Sequence, residues 1–221
     1  MNHYKLPAGV QDLLPEEYYN VSLLTEKLKN KFRLAGCRFL ESSAVEYYDT
    51  FAEIRNRIPQ RQMFKMTDGD GSLLVLRPDM TLAVARMAAT KLKVPSGRFA
   101  YVSEVWNNAE TAGNMSRRGY LQAGVEFLGV SGAFSDAQTI AFAVECMKET
   151  GLDDFTVDVG HVGFFKGLLS GLGVNEEYTE KVRVSINAKD SVGTMLALKE
   201  AGVDGRAAEA LLSLPPLFGG E

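Results

Sequence analysis

The chain has 221 residues, 46 % of them apolar and 24 % charged, with a formal net charge of −4. That balance is ordinary for a soluble globular protein of one large domain, or one domain plus an appendage. It offers no general attraction to a nucleic-acid backbone or an anionic membrane. Cys37 and Cys146 are the only cysteines and stand far apart in sequence, which excludes CxxC metal or redox spacing and suits two reduced thiols. The N-terminus lacks an apolar signal core, and the apolar runs are broken by Arg86, Lys91 or Glu145, so no membrane span is expected. A soluble, cytoplasmic protein is the expectation.

The lead-in Leu6–Pro15 is turn-rich, and Pro15 suits the first turn of a helix with Glu16 and Glu17 near its positive end. Val21, Leu24, Leu28, Phe32 and Ala35 recur at steps of three and four, which predicts an amphipathic helix stopped by Gly36. Cys37 to Tyr48 reads as a strand. The polar stretch from Phe51 to Gln62 carries Arg55, Arg57 and Arg61 and reads as a solvated basic loop. Met63–Thr67 and Ser72–Leu76 flank Asp68-Gly-Asp-Gly71, a hairpin signal. The same run resembles a calcium loop only faintly, lacking the third early oxygen ligand and the glutamate at the twelfth position.

Arg77-Pro-Asp-Met-Thr81 hands a strand over to a helix expected from about Leu82 to Lys91. Asp79 and Thr81 have two readings. As cap residues they would satisfy free N–H groups of the helix. As ligand groups, the carboxylate and hydroxyl would hold an ammonium group through a charge-assisted bond.

A pair of strands is expected next, Arg98 to Trp106 and Gly119 to Gly129, joined by a long polar connection. Alternation places Leu121, Ala123, Val125 and Phe127 on one face of the second strand, suited to packing against helices. Tyr120, Gln122, Gly124, Glu126 and Leu128 share the other face, with Gln122 and Glu126 roughly 13 Å apart by the usual rise per residue. Those two polar residues either face water or form the floor of a small polar pocket.

Asp136 to Thr150 is expected to be helical, and Phe155–Val159 a short strand. From Val162 onward the pattern is helical, through Phe165, Leu168 and Leu169, then Val192 to Ala201 and Arg206 to Leu214. His161 stands outside any catalytic constellation and reads as a structural, hydrogen-bonding histidine. There is no P-loop, no GxGxxG after a strand, no nucleophile elbow and no zinc signature, so no cofactor, metal or catalytic residue is expected.

The segments Leu6–Pro15, Phe64–Thr81 with Leu76-Arg-Pro-Asp-Met-Thr81, Gln122-Ala-Gly-Val-Glu-Phe-Leu-Gly129 and Asp158-Val-Gly-His-Val-Gly-Phe-Phe165 together resemble the histidyl-tRNA synthetase-like branch of the class II aminoacyl-tRNA synthetases. Within that branch, Arg77-Pro-Asp-Met-Thr81, Ala188-Lys-Asp190 and Leu211-Leu-Ser-Leu-Pro215 look most like the ATP phosphoribosyltransferase regulatory-subunit family. The resemblance implies an α+β fold, an antiparallel sheet flanked by helices. Residues 1–162 would form the synthetase-like core and 163–221 a helical insertion. Family members continue into strands that complete a histidine pocket, so the chain reads as a fragment.

The resemblance further implies a non-catalytic subunit that joins a short catalytic ATP phosphoribosyltransferase subunit, as a homodimer within a hetero-oligomer, and transmits allosteric feedback inhibition by histidine in histidine biosynthesis. Asp79 and Thr81 would address the ligand's amino group, Gln122 would add hydrogen bonds, and Glu126 would contact the imidazole. Where a working synthetase has an arginine at the end of the first strand of the pair, this chain has Asn107 and Asn108. Asparagine supplies no charged, forked donor array for a phosphoryl group. Arg117 and Arg118 could fold back to replace it. A proline expected in the dimer-forming strand is replaced by Ser42-Ser-Ala44. The alternatives are a histidyl-tRNA synthetase fragment and a stand-alone histidine-binding scaffold.

Overall fold

The computed structural model describes residues 4–52, 58–93, 96–108, 117–160 and 162–213. Two compact units divide the chain, residues 1–155 and 156–221. His161, Arg55, Arg57, most of the long connection after Asn108 and the tail from residue 214 lie outside the described residues.

The first unit begins with helix α1 (Pro15–Leu34), whose Leu14 N–H donates to Glu17 at 3.2 Å. It ends as its glycine predicts. Gly36 has φ +74°, and the Cys37 N–H donates to the Phe32 carbonyl at 3.0 Å. The far half of its stripe is buried, with Phe32 packed on Cys37 and Ala100, and Leu28, Ala35, Phe127 and Phe142 around them.

The run Cys37–Tyr48 is not one strand. It divides into β1 (Arg38–Phe39) and β2 (Val45–Tyr47), which enter different sheets. The larger sheet has the order β1-β5-β6, with β5 at Gly97–Trp106 and β6 at Gly119–Leu128. β5 and β6 pair antiparallel through all ten residues, but β1 pairs parallel to β5, so the sheet is mixed rather than wholly antiparallel. The smaller sheet has the order β2-β4-β3, from β3 (Lys65–Thr67) and β4 (Leu73–Leu76). The β3–β4 turn is the predicted hairpin. Its Asp68 and Asp70 carboxylates accept from the Gly69 and Ser72 N–H groups at 2.7 and 2.8 Å, and the Ser72 hydrogen bonds hold the Asp70 carboxyl below its usual range.

The physical cause of the split strand is Arg77, only 3 % exposed. Its Nη1 donates to the Glu41 carboxylate and the Ser42 carbonyl, both at 2.7 Å, and to Ser42 Oγ at 3.0 Å. Its Nη2 and Nε donate to the Glu104 carbonyl of β5 at 2.7 and 3.1 Å. The guanidinium thereby draws the Glu41–Ser43 backbone out of line between β1 and β2. Main-chain bonds finish the junction. The Arg77 N–H donates to Ala44 O at 2.8 Å, and the Trp106 N–H to Arg77 O at 2.9 Å.

After the single-turn helix α2 (Asp49–Ala52), helix α3 (Met80–Thr90) starts earlier than its apolar pattern predicts, because the Asp79 carboxylate accepts from the Leu82 N–H at 3.1 Å and caps it. Met80 and Val84 pack with Tyr101 and Val105 of β5, while Leu82 packs with Phe51 of α2, Met63 and Val75 of β4. Helix α4 (Ala133–Glu149) likewise begins before Asp136 and lies against α1, where Lys31 and Glu145 pair at 2.8 Å.

The second unit is helical: α5 (Val162–Gly171), α6 (Glu176–Asn187), α7 (Ser191–Glu200) and α8 (Gly205–Ser213). Its core is Leu169, Val182, Leu198 and Leu211. Helix α6 was not singled out by its apolar pattern. The signals for it are the Asn175 cap, which accepts from the Tyr178 N–H at 3.0 Å, and the acidic first turn Glu176-Glu177. Residues 155–160, expected to hold a short strand, form none, since no strand lies beside them among the described residues to complete a ladder.

Arg77→Ala should destabilise the protein by about 3–5 kcal/mol, because several buried acceptors lose their donor at once. Arg77→Lys should recover only part of that, since an ammonium cannot span both sides of the junction. Urea unfolding at unchanged slope is the measurement.

Candidate ligand-binding site

The β5–β6 register puts opposite residues on one face, pairing Tyr101 with Gly124, Ser103 with Gln122 and Phe99 with Glu126. This face meets the first turn of α3. Gln122 Oε1 accepts from the Met80 N–H at 2.9 Å, and Gln122 Nε2 donates to Asp79 Oδ2 at 3.2 Å. Thr81 Oγ1 donates to Glu126 Oε1 at 2.7 Å. The four residues singled out in sequence, Asp79, Thr81, Gln122 and Glu126, therefore lie in one linked cluster, each partly buried. The opposite face of β6 carries Leu121, Ala123, Val125 and Phe127. Val125 and Phe127 pack with Phe32 and Phe142, as the alternation predicts.

The cap reading of Asp79 holds. One oxygen caps α3 and the other faces Gln122. Among the described residues neither Asp79 nor Glu126 is ion-paired. Two carboxylates thus stand together with only neutral donors about them, in a partly water-excluded place where an added cation would be favoured.

Tyr101 belongs to the same cluster and was missed in sequence. It is 4 % exposed, and its hydroxyl donates to Glu126 Oε1 at 3.3 Å. Burial first, with the nearby Glu126 and Asp79 carboxylates adding to it, pushes its ionisation up to about 12, so the phenol is neutral at ordinary pH. The available signal was Gly124, a glycine mid-strand where a close approach is required. A Cβ there would lie 2.6 Å from Tyr101 Cζ and meet the hydroxyl.

At the end of β5, the Asn107 N–H donates to Arg118 O at 2.8 Å and the Asn108 N–H to Gln62 O at 2.7 Å. Arg118 holds its guanidinium 6.0 Å from the Phe64 ring, which meets Trp106 edge-on at 6.2 Å. Arg117 lines a groove between α1 and the sheet with Gln11, Leu13, Leu24, Leu28 and Glu104. Neither arginine pairs with Asp79 or Glu126.

These helices and sheets form the histidyl-tRNA synthetase-like, class II synthetase fold. The profile described as Histidyl-tRNA synthetase matches residues 9–221, and the chain belongs to that family. A relative from Acetivibrio thermocellus named ATP phosphoribosyltransferase regulatory subunit is 41 % identical, over 96 % of this chain and 51 % of its own length. One of the same name from Ruminiclostridium cellulolyticum is 37 % identical over 99 % and 53 %. The chain spans about half the length of the curated relatives it matches. The crystal structure of an ATP phosphoribosyltransferase regulatory subunit/histidyl-tRNA synthetase from Bacillus halodurans C superposes with a TM-score of 0.82 at 32 % identity, over 96 % of this chain and 55 % of that one. Histidyl-tRNA synthetase from Nostoc, at 17 % identity and a TM-score of 0.73 over 99 % and 50 %, shares the fold. No helix among the described residues is long and apolar enough to cross a membrane.

A spectrophotometric alkaline titration should show one tyrosine ionising near pH 12, absent in Tyr101→Phe. Because the folded-state value lies above the unfolded 10, the contribution is complete below pH 10 and is lost as pH rises toward 12. Gly124→Ala should displace that ring and cost about 1–3 kcal/mol in urea unfolding.

Proposed function

We propose that the full-length protein is a non-catalytic regulatory subunit of ATP phosphoribosyltransferase that assembles with the short catalytic subunit and binds histidine as its feedback signal. The observation that carries the reading is the cluster of Asp79 and Glu126 without a compensating cation, beside the Thr81 hydroxyl and the Gln122 amide. A free amino acid brings an ammonium group, and histidine brings a second donor-bearing, cationic-prone end. In this reading Asp79 and Thr81 take the ammonium, Gln122 adds hydrogen bonds, and Glu126, held by Tyr101, takes the imidazole.

Adenylate formation by a synthetase needs a fixed positive group where phosphoryl charge develops. Here the end of β5 bears two amides, and the adjacent arginines serve an aromatic stack and the α1 groove. That arrangement favours a sensor over an activating enzyme. The names of the relatives point the same way. The histidine pocket would be shared with segments found in the longer relatives, the assembly would contain a homodimer of this subunit, and residues from 163 onward would form the helical insertion of the synthetase-like core.

In the full-length protein, Asp79→Asn retains an oxygen for the Leu82 cap, and Glu126→Gln retains one for Thr81, so both variants should assemble normally with the catalytic subunit. Each should raise the histidine concentration needed for half-inhibition roughly ten- to a hundredfold, the loss of one charged hydrogen bond of about 1.5–3 kcal/mol. Unchanged inhibition in both would place the ligand elsewhere. Measurable histidyl-adenylate formation by the full-length protein would remove the regulatory reading.

A further inference from the structure

The two carboxylates of the site differ in what they still have to offer. Asp79 uses one oxygen for the Leu82 N–H and the other for Gln122 Nε2, at 3.1 and 3.2 Å. Glu126 receives both of its donors on the same oxygen. Thr81 Oγ1 reaches Oε1 at 2.7 Å and the Tyr101 hydroxyl reaches it at 3.3 Å, while nothing among the described residues donates to Oε2. Both donors are neutral, so they orient the carboxylate without cancelling its charge. The other charged or titratable groups on this side of the sheet do not cancel it either. Asp79 of α3 is itself an anion. Arg86, two turns along α3, is bonded to Glu46 of β2 at 2.6 Å. Glu41, reached through Ser103 of β5, is bonded to Arg77 at 2.7 Å. The Tyr101 phenol ionises only at about 12 and remains a donor at ordinary pH.

We infer that the site holds histidine with its imidazole protonated, a ring N–H donating to the free Oε2 of Glu126, so that filling the site takes up a proton from water. The ammonium end is already charged at neutral pH and adds no proton. An imidazole has an ordinary pKa of about 6.5, and an opposite charge at hydrogen-bond distance raises it by roughly 1–3 units. Burial works against a charged ring, but Asp79 and Glu126 are only partly buried and two anions face one ligand. A ring that is mostly neutral in solution at pH 7.5 therefore becomes largely charged in the site. The bound value lies above the free one, so this gain in affinity is complete below about pH 6.5 and is lost as pH rises through the bound value. The feedback signal is thus stronger in acid than in base.

The inference rests on the histidine reading above, and the test separates the two. Histidine is titrated into the full-length protein by calorimetry in buffers of different ionisation enthalpy, which counts the protons taken up on binding. At pH 7.5 the uptake should be about 0.4–0.9 proton per histidine, and affinity should fall about fourfold or more between pH 6.5 and 8. Asp79→Asn should bind more weakly with the uptake retained. Glu126→Gln should bind more weakly with the uptake abolished, because the ring then meets a neutral acceptor. NMR of isotope-labelled histidine bound to the wild type reads the same state directly, whatever the affinity of the variants. Two alike, imidazolium-type ring nitrogens are expected at pH 7.5, and one protonated beside one bare nitrogen overturns the inference. Binding without proton uptake overturns it too, as does uptake that survives Glu126→Gln. No histidine binding to the wild-type protein overturns the ligand reading itself.

Discussion

The first unit depends on one buried cation. Arg77 closes β4 and binds in two directions, toward the Glu41–Ser43 backbone and toward the Glu104 carbonyl. A guanidinium taken out of water is tolerated only when its donors are engaged, and here both sides of its fork are. The same contacts set where the chain leaves the smaller sheet, so Pro78 and Asp79 arrive opposite β6. Glu41 adds to the junction by accepting the Ser103 hydroxyl with its second oxygen at 2.6 Å. The candidate site stands where it does because these bonds fix the course of the chain at the junction.

Given that placement, the chemistry of the site follows from what surrounds two carboxylates. Gln122, Thr81 and Tyr101 all donate to them, and none carries charge. A neutral donor shell steadies a carboxylate without cancelling it, which leaves the site open to a cation. Tyr101 fits this role because its proton is held far above neutral pH. Gly124 makes room for the ring, so the glycine in β6 and the tyrosine in β5 act as one element.

The resemblance read from Leu6–Pro15, Phe64–Thr81, Gln122–Gly129 and Asp158–Phe165 together identified the family, and two of these segments carry the junction, the cap and the two polar positions of β6. The helices α1, α3, α4, α5, α7 and α8 were legible in the sequence pattern, and the hairpin from Asp68–Gly71. Tyr101 was hidden because an alternating strand pattern does not say which aromatic crosses to a neighbour's glycine. The break between β1 and β2 was hidden for a related reason. The residues from Cys37 to Tyr48 have acceptable strand character throughout, and only a distant guanidinium pulls their middle away.

By itself, then, the sequence determined most of the helices, the hairpin, the β5–β6 pair, the faces of β6 and the acidic and amide groups available, since periodicity and side-chain chemistry are local properties. Tertiary structure decided that Asp79, Thr81, Gln122 and Glu126 converge, and that Tyr101 joins them. Those outcomes depend on strand register and on where Arg77 anchors the chain. Both arise from contacts between residues far apart in sequence, which no local pattern records.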